Sequence, residues 1–298
     1  MSLDRKAMYA QIAENIIGLM EAGVAPWSKP WLVRGHDDPM LPRSGFYNKP
    51  YSGFNNLYLS CLMHEQGWSD PRFYTYDNAQ KAGGQVRKGS KSTVVVYNKR
   101  VTKKDKDDPD KVKAFWLMKF YRVFNAAQID GLDVYDPSVP VVEDFSHDDE
   151  SYPVAAGICD EWLESLNGFY KGGDSAYYTP LLDTINMPLQ EQFVSLAAYY
   201  QTLFHEMIHS SGHSSRLDRL ERGGFGSDPY AKEELVAEFG AAFMCANSDV
   251  PLREDASAAY IKSWAAKCKD DPGLLVTSVN AAQVAADLVL GVEANVAV

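Results

Sequence analysis

Leu203-Phe204-His205-Glu206-Met207-Ile208-His209 sits in an apolar-periodic run and contains the spacing H-E-x-x-H. Positions four apart on a helix share a face, so His205 and His209 can aim both imidazoles at one metal ion. Glu206, beside the first of them, can act as general base toward a water that the metal activates. With six histidines in 298 residues, the number of such matches expected by chance is on the order of 0.01. These residue types at this spacing point to one Zn2+ ion, with Glu206 as the catalytic group.

Two histidines do not complete such a site, because catalytic zinc usually has three protein ligands and one position left for water. Downstream, Lys232-Glu233-Glu234-Leu235-Val236-Ala237-Glu238-Phe239 offers Glu234 and Glu238, four apart on one helix face. One carboxylate can ligate the metal while the other orients a ligating histidine through its second ring nitrogen. The spacing E-x-x-A-E is similar to the E-x-x-A-D pattern of zinc peptidases, whose first acid is the ligand. That resemblance makes Glu234 the third ligand and Glu238 the group behind a histidine. Glu233 lies about 100° round the helix and is expected to face solvent. His213 invites comparison with H-E-x-x-H-x-x-G-x-x-H, but Ser215 stands where that pattern needs its third histidine. His213 is then either an oxyanion or substrate contact behind the metal ligands or a local structural residue. Arg216 and Arg219 read as helix-end or ion-pair residues.

These groups require two helices. The first is expected over Glu191–His209, ended at Gly212, and the second from near Tyr230 to Ala246, opened by Asp228-Pro229. Short strands are expected at Ala176–Pro180 and Asp183–Met187, and further helices at Val154–Leu166, Ser257–Lys267 and Asn280–Leu290. In the first half, apolar spacing predicts helices over residues 3–20 and 54–66 and a short one at Asp77–Ala82. Thr93–Val101 and Val112–Phe124 are β-branched and aromatic, and read as a hairpin whose charged tip is Lys103–Lys111. The acidic, proline-spaced stretch Asp130–Tyr152 reads as a linker. The resulting class is α+β with two domains. Residues 1–145 form a small α+β domain around an antiparallel sheet, and residues 150–298 a mostly helical one.

No apolar run approaches the roughly 18 residues of a membrane span, and the N-terminus lacks a signal-peptide core. Cys61, Cys159, Cys245 and Cys268 are scattered singly, as reduced thiols of a cytoplasmic protein would be. The net charge of −11 is unevenly placed: residues 1–130 balance to +7 and residues 131–298 to −18. Such asymmetry suggests modules with different partners. In the basic half, Trp27, Trp31 and Tyr51 alternate with cations such as Lys49, and Arg87-Lys88-Gly89-Ser90-Lys91 leads into the first long strand. Aromatic faces stack on unpaired bases and cations follow phosphates, a combination suited to single-stranded DNA. Trp27, Trp31, Lys49, Tyr51, Arg87, Lys88 and Lys91 are the residues expected to do this.

The chain resembles the ArdC-type antirestriction proteins of conjugative plasmids over essentially its whole length. In the first half the resemblance is carried by Asn48-Lys49-Pro50-Tyr51-Ser52-Gly53-Phe54-Asn55, Gly83-Gly84-Gln85-Val86-Arg87-Lys88-Gly89, Tyr121-Arg122-Val123-Phe124-Asn125 and Gln128-Ile129-Asp130-Gly131-Leu132. In the second half it is carried by His205–His213 through Leu217 and by Tyr230–Glu238. Similar N-terminal domains occur in plasmid primases. The resemblance implies a single-stranded-DNA-binding domain followed by a zincin-like metallopeptidase domain with a protein substrate. It also implies protection of incoming plasmid DNA from host restriction. Ser210-Ser211 stands where relatives often have Trp-Thr, a departure expected to alter the substrate cleft. In such peptidases an edge strand in the place of Asp183–Met187 pairs with extended substrate. Two other readings compete: a DNA-binding protection factor with a structural or vestigial metal site, and a metallonuclease. The H-E-x-x-H spacing argues against the nuclease, since nucleases favour carboxylate-rich, often two-metal sites.

Overall fold

The computed structural model describes the backbone of residues 5–28, 38–104, 112–135, 152–220, 228–252 and 258–292. Trp31, the hairpin tip at 105–111 and most of the acidic stretch, 136–151, lie outside the described residues. Among the described residues, no helix is long and apolar enough to cross a membrane. The chain is α+β and folds as two compact units, one of Met1–Asp38 with Val139–Ala294 and one containing Pro39–Ser138.

Helix α1 (Arg5–Glu21) opens the chain and belongs to the first of these units. The Pro39–Ser138 unit then runs β1 (Arg43–Ser44), β2 (Lys49–Pro50), α2 (Gly53–Gln66), β3 (Arg72–Thr75) and α3 (Tyr76–Lys81). It continues with β4 (Gln85–Val86), β5 (Thr93–Lys104), β6 (Val112–Asn125) and β7 (Ile129–Asp130). The expected hairpin, β5 with β6, forms one side of a five-stranded sheet of order β2-β1-β3-β6-β5. This sheet is not wholly antiparallel, because β1 runs parallel to β3. Adjacent strand residues point to opposite faces, and β3 shows this with Phe73 and Tyr74. Phe73 joins Leu59 and Met63 of α2 with Val95 and Val123; Tyr74 joins Ala79, Ala126 and Ile129 on the other face. β5 ends the sheet, and buried Asn55 meets its outer edge. The Asn55 amide donates to Val96 O at 2.6 Å and accepts from Val96 N at 2.9 Å, so these buried backbone groups are satisfied without another strand.

The remainder of the first unit is α4 (Pro153–Glu164), β8 (Gly168–Lys171), β9 (Tyr177–Thr179), β10 (Thr184–Met187) and four helices. These are α5 (Leu196–Ser211), α6 (Asp228–Ala246), α7 (Ala258–Asp270) and α8 (Pro272–Val289). The three strands pair in the order β8-β10-β9. β10 is therefore central, with both edges occupied, and cannot be the open edge expected at Asp183–Met187; β9 is an outer strand. Ser195 caps α5 by accepting from Ala198 N at 3.1 Å. Gly240 lets α6 approach α5 closely, since a Cβ there would meet the Ile208 side chain at 2.9 Å.

Helix α1, which precedes the expected boundary near residue 145, groups with the elements that follow it. Its apolar face, Ile12, Ala13, Ile16, Ile17 and Met20, is buried, and it packs against α7 and α8. The strand-rich unit starts only at Pro39.

Candidate metal centre

Helix α5 carries His205 and His209 one turn apart, with ring centroids separated by 4.7 Å. Their Nε2 atoms face one another at 3.1 Å. Glu234 reaches in from α6, with one carboxylate oxygen 3.7 Å from His205 Nε2 and the other 3.7 Å from His209 Nε2. Among the described residues, these three form the group of ligand atoms close enough to share a cation. The far side of each ring also meets a carboxylate. His209 Nδ1 lies 3.1 Å from Glu233 and His205 Nδ1 lies 3.9 Å from Glu238.

Glu233 does not face solvent as expected. Arg219 grips both its oxygens at 2.9 and 2.8 Å and also donates to Ile208 O at 2.8 Å and Ser211 Oγ at 3.1 Å. The two arginine bonds and the histidine hold its carboxyl below the usual range, although burial alone would raise it. Burial dominates at Glu206, only 7% exposed. It raises the carboxyl pKa, and the charge of Glu234 adds to this, against His209 and a hydrogen bond from the Tyr178 backbone. Glu234 is likewise raised by burial.

His213 is not drawn into this cluster; its Nδ1 engages Ser215 Oγ at 2.8 Å in the turn after α5. Arg216 pairs with Asp183, which also accepts from the Tyr178 hydroxyl at 2.7 Å. Both arginines thus serve in ion pairs, as expected. Ser210 and Ser211 are fully buried and line the interior, not a cleft. Ser210 Oγ accepts from Trp162 Nε1 at 2.9 Å, and Arg216 lies over the Trp162 ring.

The residues expected to touch DNA separate into groups. Trp27 is 3% exposed and packs in the unit with α5 and α6, its ring centroid 5.0 Å from Phe239 and 5.7 Å from Trp264. It cannot stack on a base. Tyr51 packs against the α2 core beside Phe73, and burial pushes its hydroxyl up to about 12. Lys49, Arg87, Lys88 and Lys91 are exposed. The exposed aromatics of the unit include Phe46, Tyr47, Tyr76 and Tyr121, which the sequence did not separate from core residues.

Residues 6–124 match the N-terminal domain of anti-restriction factor ArdC, and residues 160–283 match a zincin-like metallopeptidase family. The crystal structure of the antirestriction ArdC protein from plasmid R388, metal-free, superposes with a TM-score of 0.68 at 34% identity. That match covers 97% of each chain. The Mn(II)-bound structure of the same protein matches with a TM-score of 0.68 at 33% identity, over 96% of this chain and 98% of that one. The chain belongs to the ArdC antirestriction family. The ArdC-like sequence also occurs inside longer proteins. Two DNA primases TraC of Escherichia coli are 35% and 34% identical over 97% of this chain, which spans only 20% and 27% of their lengths. The uncharacterized protein y4eC of Sinorhizobium fredii is 33% identical, over 94% of this chain and 90% of its own. For an ArdC-family chain, the residues that sequence reasoning missed around the metal centre are Glu233, with Arg219 behind it, and the Trp162–Ser210 pair. Glu233 had a signal in its place beside Glu234, but the arginine that turns it inward comes from a separate loop.

Proposed function

We propose that this ArdC-family protein is a cytoplasmic antirestriction factor that binds single-stranded DNA and cleaves a protein substrate at a Zn2+ site. The observation that carries the reading is the convergence of His205, His209 and Glu234 beside buried Glu206. Ligand bonds of about 2.0–2.2 Å in tetrahedral geometry place donor atoms about 3.4 Å apart. The two Nε2 atoms stand 3.1 Å apart and each has one Glu234 oxygen at 3.7 Å, so both kinds of separation lie close to that value. Two histidine nitrogens and a carboxylate suit zinc, as a borderline ion, and three protein ligands suit a catalytic rather than a structural zinc site. The Mn(II) held by the R388 relative fits an ion-binding role for this site.

The bound ion would polarise the scissile carbonyl and lower the pKa of water. Glu206, its proton affinity raised by burial, takes the proton from the attacking water and passes it to the leaving amine. The Tyr178 backbone hydrogen bond orients that carboxylate. Glu233 fixes the His209 ring from behind, and Glu238 stands behind His205 at 3.9 Å. Because β10 is central, an extended substrate would add to the outer strand β9, which carries Tyr178. Single-strand binding is assigned to the Pro39–Ser138 unit, which holds 16 Lys and Arg against 10 Asp and Glu and exposes aromatic rings.

The deciding experiment compares wild type, Glu206→Gln and His205→Ala in recipient cells that restrict an incoming plasmid. Metal content and DNA affinity are measured on the purified proteins. Glu206→Gln should keep its metal and its DNA affinity yet lose protection, through a loss of about 10²–10⁴-fold in hydrolysis. Full protection by Glu206→Gln would remove the peptidase from the reading and leave a DNA-binding protection factor with a structural metal.

A further inference from the structure

On the face of the Pro39–Ser138 sheet opposite α2, a groove of about 750 Å³ opens between α3 and the loop joining β4 to β5. Its lining includes Tyr76, Val86, Arg87, Lys88, Ser90 and Phe124. This volume falls within the roughly 300–1,000 Å³ of sites that take small molecules. Tyr76 is 45% exposed, and Phe124 lies half-buried on β6 beside it.

The opposite wall is a surface loop anchored at both ends by hydrogen bonds. The Arg87 N–H donates to Gln128 O at 3.0 Å, and its guanidinium binds Asp130 at 3.0 Å and Ala127 O. Gln128 Nε2 pins the other end by donating to Lys91 O at 2.9 Å. Gln128 itself is fixed, because Asn125 N donates to its side-chain oxygen at 2.9 Å. Between these anchors Lys88 and Gly89 are exposed. Gly89 has φ of +89°, with open space where a side chain would begin, so the loop turns its tip outward. Arg87 therefore shapes the wall by pairing with Asp130, and Lys88 is the cation offered at the groove.

We propose that this groove holds one unpaired nucleotide of a DNA single strand, its base stacked on Tyr76 and its phosphate against Lys88 and the Gly89–Ser90 turn. The proposal rests on the single-strand reading above and names the place where it acts. An aromatic ring can stack only on a base face left uncovered, which excludes the interior of a duplex, and one cation beside it matches the phosphate that follows each base.

The test is fluorescence anisotropy of the full chain with a labelled single-stranded 15-mer, measured at several salt concentrations. Tyr76→Ala should weaken binding by about 5- to 100-fold with little change in salt slope, and Tyr76→Phe, which keeps the ring, should bind nearly as the wild type. Lys88→Ala should reduce the slope of log K against log salt by about 0.7, one phosphate's contribution on a single strand. If Tyr76→Ala and Lys88→Ala both bind as the wild type does, the groove is not the site and the single-strand reading survives. If Tyr76→Phe loses as much as Tyr76→Ala, stacking is overturned. A wild-type chain that binds no single strand overturns both the groove and the reading beneath it.

Discussion

His209 uses its two ring nitrogens differently, and the difference can be measured. Nε2 faces His205 and Glu234, while Nδ1 is hydrogen-bonded to Glu233 at 3.1 Å. Glu238 approaches His205 from the corresponding side at the longer distance of 3.9 Å. Titration of zinc against a competing chelator should rank the three carboxylates. Glu234→Ala should lose most bound zinc. Glu233→Ala should weaken binding by about 10–100-fold, the usual size of losing a group behind a ligating histidine. Glu238→Ala should weaken it less than Glu233→Ala. Retention of zinc by Glu234→Ala with loss in Glu238→Ala would reverse the ligand assignment. His205, His209 and Glu234 were legible because each pattern lies within one helix, where spacing fixes the face. Glu233 was misplaced because a helical wheel describes only its own helix. The residue that turns it inward, Arg219, arrives from the turn after α5.

At the scale of elements, the sheet and α5 are tied together by a small polar network. Asp183 sits in a left-handed turn (φ +52°) just before β10, where aspartate is tolerated. Arg216, from the turn after α5, binds its carboxylate and also donates to Ser210 O at 2.9 Å. Burial pushes the Asp183 carboxyl up, but the Arg216 and Tyr178 hydrogen bonds pull harder, and the net pKa lies below the usual value of 3.8. A carboxyl lowered in the folded state adds stability above its unfolded pKa and loses it as pH falls through the folded one. Asp183→Asn would leave Arg216, 13% exposed, without its counter-charge. It should cost about 3–5 kcal/mol at pH 7, and the gap to wild type should narrow as pH drops below about 3.9. Urea unfolding of the metal-free proteins across that range checks this, and a gap independent of pH would sink it. The network was not legible, because nothing local links residues 162 and 183 to the turn that holds 210 and 216. The longer elements were: the helices and the β5–β6 hairpin follow from periodicity, although α5 starts at Leu196 instead of Glu191 and α8 at Pro272 instead of Asn280. Strands of two to four residues such as β1, β4 and β8 carry too few positions to show a period. The central place of β10 is a matter of pairing order, which a four-residue strand does not encode.

For the whole molecule, the main departure is that residues 1–38 group with the unit that carries the candidate metal centre. Charge could not show this, because those residues hold four Lys and Arg against five Asp and Glu, nearly neutral between a basic and an acidic region. The apolar face of α1 was legible, but a face does not name its partner. In the structure α1 packs against α7 and α8, and Trp27 shares the lining of a small cavity with His205 and Glu238. The surface pair Glu21–Lys269, at 2.6 Å, adds little by comparison, as exposed ion pairs do. Removing residues 1–38 should therefore damage the metal unit and spare the other. Trp27→Ala alone should cost about 3–5 kcal/mol, the usual range for a buried tryptophan. A protein lacking residues 1–38 should melt well below the full chain and hold zinc more weakly. A fragment of residues 39–138 should still bind single-stranded DNA, because the groove beside Tyr76 and Lys88 lies wholly within it. Differential scanning calorimetry with and without zinc, paired with anisotropy on the same proteins, separates the two effects. If the truncated chain melts and binds zinc like the full one while losing DNA affinity, residues 1–38 belong functionally with the DNA-binding unit, and the division drawn from α1 packing is wrong.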